Sequence, residues 1–192
     1  MKPIILASSS TYRKQLLQKL HLEFTAIAPN IDESALNDEH PKQLALRLAI
    51  EKAHALQASN PNHLIIASDQ TASCDNIILG KPGNYLNAIQ QLKQQSGRRV
   101  QFYTSVCVLD SATNKIFSDI DLCTVYFKEL SEQQILKYIN IEKPYDCAGS
   151  FKSEGFGISL FTKIEGDDPN ALIGLPLIKL IALLNNFGVA TL

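Results

Sequence analysis

The chain has 192 residues, 45% hydrophobic and 19% charged, which suits one packed globular domain and excludes a disordered segment. A formal net charge of −1 gives no global attraction to nucleic acid or to an anionic membrane, so any phosphate recognition must be local. Cys74, Cys107, Cys123 and Cys147 are far apart and form no Cys-x-x-Cys pair, which argues against a zinc site and against a disulfide framework.

The opening MKPIILASSS has too short an apolar run for a signal peptide. The run from Leu175 to Leu184, broken by Lys179, is too short to span a bilayer. A soluble, cytoplasmic protein is the expectation, with no membrane and no nucleic acid among its partners.

In chain order, Lys2 to Ala7 reads as a short buried strand. Thr11 to Leu20 places Leu16, Leu17 and Leu20 on one helical face. Leu22 to Ala28 reads as a second strand, ended by Pro29-Asn30. Pro41 suits a helix start, and Leu44, Leu46, Ala49, Ala53 and Leu56 continue at helical spacing. His63 to Asp69 is an apolar strand with a polar tip, and Ile77 to Leu79 a short strand ahead of Gly80-Lys81-Pro82. Tyr85 to Gln95 is a helix stopped by Ser96-Gly97. Val100 to Leu109 and Ile116 to Phe127, joined by turn residues, carry a hairpin signal. Ser131 and Gln134 have capping-box spacing at the start of another helix. Gly157 to Ile164 reads as a strand and Leu175 to Asn186 as the last helix. The class is α/β, mixed with α+β: one twisted, mixed sheet flanked by helices, in a single domain over residues 1–192.

Several stretches carry candidate chemistry. Ser8-Ser9-Ser10 stands between a strand and a helix, where free amides and the helix dipole attract an anion, with Arg13 placed to close over a phosphate. The same serines also suffice for simple N-capping. Asp69 ends an apolar strand, the position where α/β sheets put ligands, or equally caps a turn. Asp32-Glu33 follows the second strand and reaches toward the same edge. Lys81 sits in a tight turn, and Lys52 shares a helix with Arg47 and Glu51. In Cys147-Ala-Gly-Ser-Phe-Lys-Ser-Glu-Gly-Phe-Gly157, Lys152 and Glu154 would face one side of an extended chain, and the glycines suit close backbone approach to a ligand. Gly166 to Asn170 is a polar turn that coordinates or caps. His21, His40, His54 and His63 show no metal-ligand spacing.

Six pieces occur in a familiar order: Ser8-Ser-Ser-x-x-Arg13, Asp32-Glu33, Ser68-Asp69-Gln70, Gly80-Lys81-Pro82, Ala148-Gly-Ser-Phe-Lys-Ser-Glu154-Gly and Gly174-Leu-Pro176. Together they resemble, nearly end to end, the Maf family of nucleoside triphosphate pyrophosphatases. Gln70 and Glu154 resemble the branch that hydrolyses 7-methyl-GTP; the dTTP/UTP branch is the alternative within the family. A non-catalytic nucleotide-binding regulator of septum formation is the alternative outside enzymes. Thr11 stands where the family usually has Pro, Lys14 where it has a second Arg, and Tyr12 where this branch often has Trp.

The resemblance implies an inosine-triphosphatase-like fold with a deep cleft between two lobes. It implies cleavage between the α- and β-phosphates, releasing a nucleoside monophosphate and pyrophosphate. It assigns phosphate binding to Ser8, Ser9, Ser10, Arg13, Lys52, Lys81 and Lys152, and the general base to Asp69. Glu33 and Asp69 would hold a divalent cation, Mg2+ or Mn2+. Tyr12, Gln70 and Glu154 would set the base preference. A nucleoside triphosphate is the implied partner, and a homodimer the implied assembly.

Overall fold

The apolar runs of the sequence pair into one seven-stranded sheet in the computed structural model, which describes residues 2–192. The elements are β1 (Ile4–Ala7), α1 (Thr11–Gln18), β2 (Phe24–Ile27), α2 (Pro41–Ala55), β3 (Leu64–Cys74), β4 (Ile77–Leu79), α3 (Tyr85–Gln95), β5 (Arg99–Asp110), β6 (Lys115–Phe127), α4 (Glu132–Glu142), β7 (Phe161–Glu165) and α5 (Leu177–Asn185). The strand order is β2-β1-β3-β5-β6-β7, with β4 also paired to β3. β1 runs parallel to β2 and β3, while the remaining pairs are antiparallel. β5 and β6 form the expected hairpin, in register from Arg99–Tyr126 to Asp110–Lys115. Among the described residues no helix is long and apolar enough to cross a membrane.

Period-two alternation sends each strand's side chains to two different cores. Ile4, Leu6, Leu64, Ile66, Val106 and Val108 pack with Leu16 and Leu17 of α1 and with Leu180 and Leu184 of α5. The odd-numbered partners, Ile5, Ala7, Ile65, Ala67, Cys107 and Leu109, pack on the other face with Ala49, Ala53 and Leu56, which continue the helical stripe of α2. A third cluster lies at the far half of the sheet, where Ala72, Val100, Phe102, Val125 and Phe127 meet α3 and α4. The site lies where these clusters meet.

Caps match the sequence in kind. Ser10 accepts from the Arg13 amide, and Ser131 and Gln134 complete a capping box. His40, exposed and without metal-ligand spacing in the sequence, caps α2 through its ring nitrogen.

Two boundaries depart from expectation. β3 does not stop at Asp69 but runs on to Cys74, because β5 continues to pair with it residue by residue through Cys74–Val100. Residues 157–160 are not a strand. Phe156–Leu160 is a 3-10 turn, and β7 begins only at Phe161. Gly157 explains the difference: a Cβ there would lie 2.2 Å from the Lys152 carbonyl oxygen, so the chain folds tightly back on itself at this point. The glycines here serve close approach of the chain to itself.

That folded-back segment is tethered to α4. Tyr138 is fully buried, and its hydroxyl accepts a hydrogen bond from the Lys152 amide at 3.0 Å. Burial pushes the phenol well above its ordinary range, so it stays neutral. Tyr138→Phe keeps the ring and leaves the Lys152 amide without this partner. The expected cost is about 1 kcal/mol, read as a lower urea midpoint, and an unchanged midpoint would show that the tether carries no stability.

Candidate active site

The floor of the site is a gap in one edge of β3. β5 covers the other edge along its whole length. On the open edge, β1 pairing ends at Ala7–Ala67 and β4 pairing begins at Ala72–Leu79. Ser68, Asp69, Gln70 and Thr71 therefore have no strand neighbour there. A cleft of about 560 Å³ opens over this gap, walled by the serine loop, by Leu44 and Leu48 of α2, by residues 78–81 and by the 146–154 segment. Tyr12, Arg13, Glu33, Lys52, Lys81 and Glu154 line it together with Ser8, Ser9, Ser10, Asp69 and Gln70. The reading of Asp69 as a strand tip is corrected: it lies within β3, and its access comes from β1 being short.

At one end stands the serine loop. Ser8 is buried, its hydroxyl accepts from the Ser10 amide at 3.1 Å, and Ser10 caps α1. Capping and anion binding thus fall to different groups of one loop. Among the described residues the amides of Ser9, Thr11 and Tyr12 meet no protein acceptor, as expected at a helix N-terminus. The Arg13 Nε donates to the Gly174 carbonyl at 2.8 Å, which anchors the guanidinium and leaves its two terminal nitrogens uncommitted. Burial pulls the Arg13 guanidinium below its ordinary value, against the neighbouring charges of Asp69 and Glu33. Lys81 is exposed at the cleft mouth, and among the described residues no carboxylate pairs with it.

Lys52 is not on a solvated helix face. It is 5% exposed, and its Nζ lies 2.6 Å from Asp69 Oδ1 and 2.8 Å from Glu33 Oε1. Alternation along β3 sends Asp69 to the α2 side with Ile65 and Ala67, where Lys52 projects from α2 three residues beyond Ala49. Burial raises the Glu33 carboxyl, but its hydrogen bond to Lys52 and the charges of Lys52, Lys81 and Arg13 outweigh that, leaving it below the usual carboxylate range. One cation thus holds two carboxylates. Among the described residues Asp69 Oδ2 accepts no hydrogen bond, which leaves it open to a ligand.

The opposite parity of β3 sends Ser68 and Gln70 to the other face, against residues 171–174. Ser68 Oγ donates to the Gly174 carbonyl at 2.9 Å, beside the Arg13 bond to the same oxygen. Gly174 has φ +130, a backbone conformation that favours glycine. Asp168, 1% exposed, holds this segment in place: Oδ1 accepts from the Asn170 amide at 2.8 Å and Oδ2 from the Ile178 amide at 2.7 Å. The Gly166–Asn170 turn therefore caps, and the Gly174 carbonyl it presents is a site group that sequence reasoning missed.

At the far end, residues 153–155 form a turn, which breaks the extended pairing expected of Lys152 and Glu154. Glu154 is exposed and lines the cleft. Lys152 does not line it; its Nζ donates to the Glu142 carbonyl at 3.1 Å. Of the expected phosphate ligands, Lys152 is thus committed away from the cleft, and Lys52 is paired within it to Asp69 and Glu33. Tyr12 lies between the two ends. Burial and the neighbouring Cys147 raise its hydroxyl, so the ring stays neutral at physiological pH. Cys147 lines the cleft too, and burial pushes its thiol up to about 12, so it is a thiol and not a thiolate.

The arrangement brings into one cleft cations and free amides that can bind an anion, a carboxylate that can act on a water, and hydrogen-bond acceptors. Comparison with known proteins gives the family. A 7-methyl-GTP pyrophosphatase of Colwellia psychrerythraea is 52% identical over 192 residues, covering 100% of this chain and 96% of the relative. One of Pseudoalteromonas translucida is 52% identical over 190 residues, covering 99% and 94%. A HAM1 protein of Coxiella burnetii shares the fold alone, with a TM-score of 0.51 and 18% identity over 68% of this chain and 75% of that one. The model of the family described as Maf-like protein matches residues 3–187. With that match and these full-length relatives, the chain belongs to the Maf family of nucleotide pyrophosphatases.

Proposed function

We propose that this protein hydrolyses 7-methyl-GTP to 7-methyl-GMP and pyrophosphate. One observation carries the reading: a single cleft is lined by Arg13 and Lys81, by Asp69, and by Tyr12, Gln70 and Glu154. A nucleoside triphosphate needs those three chemistries in one cleft. Relatives half identical over their full length bear the name 7-methyl-GTP pyrophosphatase, which supports the same substrate.

The free amides of Ser9, Thr11 and Tyr12, the Arg13 guanidinium and Lys81 receive the phosphates. Asp69 takes the proton of the attacking water through its free oxygen. The water oxygen joins phosphorus, the anhydride bond between the α- and β-phosphates breaks, and pyrophosphate leaves with that bond's electron pair. Lys52 keeps Asp69 and Glu33 at fixed positions while this happens.

The donor set suits a hard divalent cation. Among the described residues no three His, Cys, Asp or Glu stand together; Asp69 and Glu33 are the cleft carboxylates that would hold the ion. Mg2+ or Mn2+ held there would neutralise phosphate charge.

At the base end, methylation of N7 makes guanine cationic, and the Tyr12 ring offers it a cation–π contact of about 0.5–2 kcal/mol. The Glu154 carboxylate accepts from the guanine N1–H and exocyclic amine. Against a uracil carbonyl the same carboxylate meets an acceptor and is left unpaired.

Pyrophosphate release from a nucleotide panel with Mg2+ or Mn2+ is the direct test, with 7-methyl-GTP expected to have the highest kcat/KM. A faster UTP or dTTP would place the enzyme in the pyrimidine branch, and no turnover of any nucleotide would favour a binding role. Glu154→Gln is expected to cut the preference for 7-methyl-GTP over UTP by about 10- to 100-fold; an unchanged ratio removes Glu154 from base selection. Asp69→Asn keeps an oxygen for Lys52 and loses the base, so kcat should fall by about 10²- to 10⁴-fold in a protein with wild-type circular dichroism. Near-normal turnover would exclude Asp69 as the base.

A further inference from the structure

Gln70 is held in one orientation. Its Nε2 donates to Thr104 Oγ1 at 3.0 Å, to the Ala171 carbonyl at 2.9 Å and to the Leu172 carbonyl at 3.0 Å. Two of these partners are main-chain carbonyls, which can only accept, so the amide nitrogen must face them. Reversing the amide would set its oxygen against two carbonyl oxygens inside the protein. Among the described residues Oε1 accepts from no donor, and Gln70 lines the cleft. The cleft is therefore given an acceptor.

Thr104 completes this polarity. It sits opposite Gln70 in the β3–β5 register and is fully buried. Its hydroxyl hydrogen goes to the Ala171 carbonyl at 2.9 Å, so its oxygen is left only to accept from Gln70. The two side chains and the 171–172 backbone form a closed set in which Gln70 Nε2 shares its two protons among three acceptors and the Thr104 hydroxyl proton goes to Ala171. Asp168 fixes that backbone in turn, through its bonds to Asn170 and Ile178.

We propose that Thr104 is a positioning residue for base selection: with the Ala171 and Leu172 carbonyls it locks Gln70 as a pure acceptor. The inference rests on the nucleotide reading above and sharpens it. Gln70 and Glu154 then present acceptors from two sides, and the base that satisfies both carries adjacent donors. Guanine has them in N1–H and its exocyclic amine. Uracil and thymine place a single N–H between two carbonyls, and adenine sets an acceptor beside its amine.

The test measures kcat/KM for 7-methyl-GTP and for UTP in wild type, Thr104→Val and Thr104→Ser, with thermal melts to verify folding. Thr104→Val keeps the shape and removes the hydroxyl. Its ratio of 7-methyl-GTP to UTP should fall about three- to tenfold, while Thr104→Ser keeps a ratio near wild type. A purely structural role would lower both substrates alike, and an unchanged ratio in folded Thr104→Val overturns the inference alone. A wild type that prefers UTP overturns the substrate reading and this inference with it. Should Thr104→Val fail to fold, Thr104→Ala carries the same expectation.

Discussion

Everything in this site depends on one mismatch of strand lengths. β3 is 11 residues long and fully paired to β5, whereas β1 offers only four residues to its other edge. β4 then covers that edge again at Ala72. The uncovered interval, Ser68 to Thr71, is the only stretch of β3 that a ligand can approach from the side. Chain that leaves β1 at this point becomes the serine loop and α1, so the free amides of the helix start are delivered to the gap by the event that opens it. Strand pairing places the site, and side chains then furnish it.

Alternation divides the furnishing. Asp69 faces α2 and meets Lys52, while Ser68 and Gln70 face the 171–174 backbone. Two neighbours in sequence thereby meet different partners, Lys52 for Asp69 and the 171–172 backbone for Gln70. The Lys52–Asp69 pair is weak evidence for stability, because desolvating two charges costs about as much as their attraction returns. Its place in the cleft makes better sense as positioning. It holds Asp69 and Glu33 together with one oxygen of Asp69 uncommitted. The Gly174 carbonyl works similarly for Arg13 and Ser68, using backbone where a carboxylate would have neutralised the guanidinium.

Much of this was legible from the sequence. The apolar stripe of α1, the β5–β6 hairpin and the Ser131 capping box rest on local periodicity and cap chemistry, and each formed where expected. Asp69, Arg13 and Glu154 stood out by residue type next to strands, helix starts and glycine-rich turns, and Gln70 only through the family resemblance. What failed depended on distant chain. The end of β3 was misjudged because β5 prolongs it, and no local residue says so. Lys52 looked solvated because its carboxylate partners come from residues 33 and 69, neither on its own helix. Lys152 looked paired with Glu154 on an extended chain, but the close approach at Gly157 turns that chain and sends the ammonium to the Glu142 carbonyl. Main-chain groups such as the Gly174, Ala171 and Leu172 carbonyls leave no side-chain signature at all.

The central claim is that the gap in β3 is the floor of one site with a phosphate end and a base end. Two-dimensional amide NMR of the labelled protein, titrated separately with pyrophosphate and with 7-methylguanosine, tests it most directly. Pyrophosphate should shift the amides of Ser9 to Arg13 and Lys81, and 7-methylguanosine those of Gln70 and Ser153 to Gly155. Both ligands moving the same resonances, or either moving residues away from the cleft, would contradict the account.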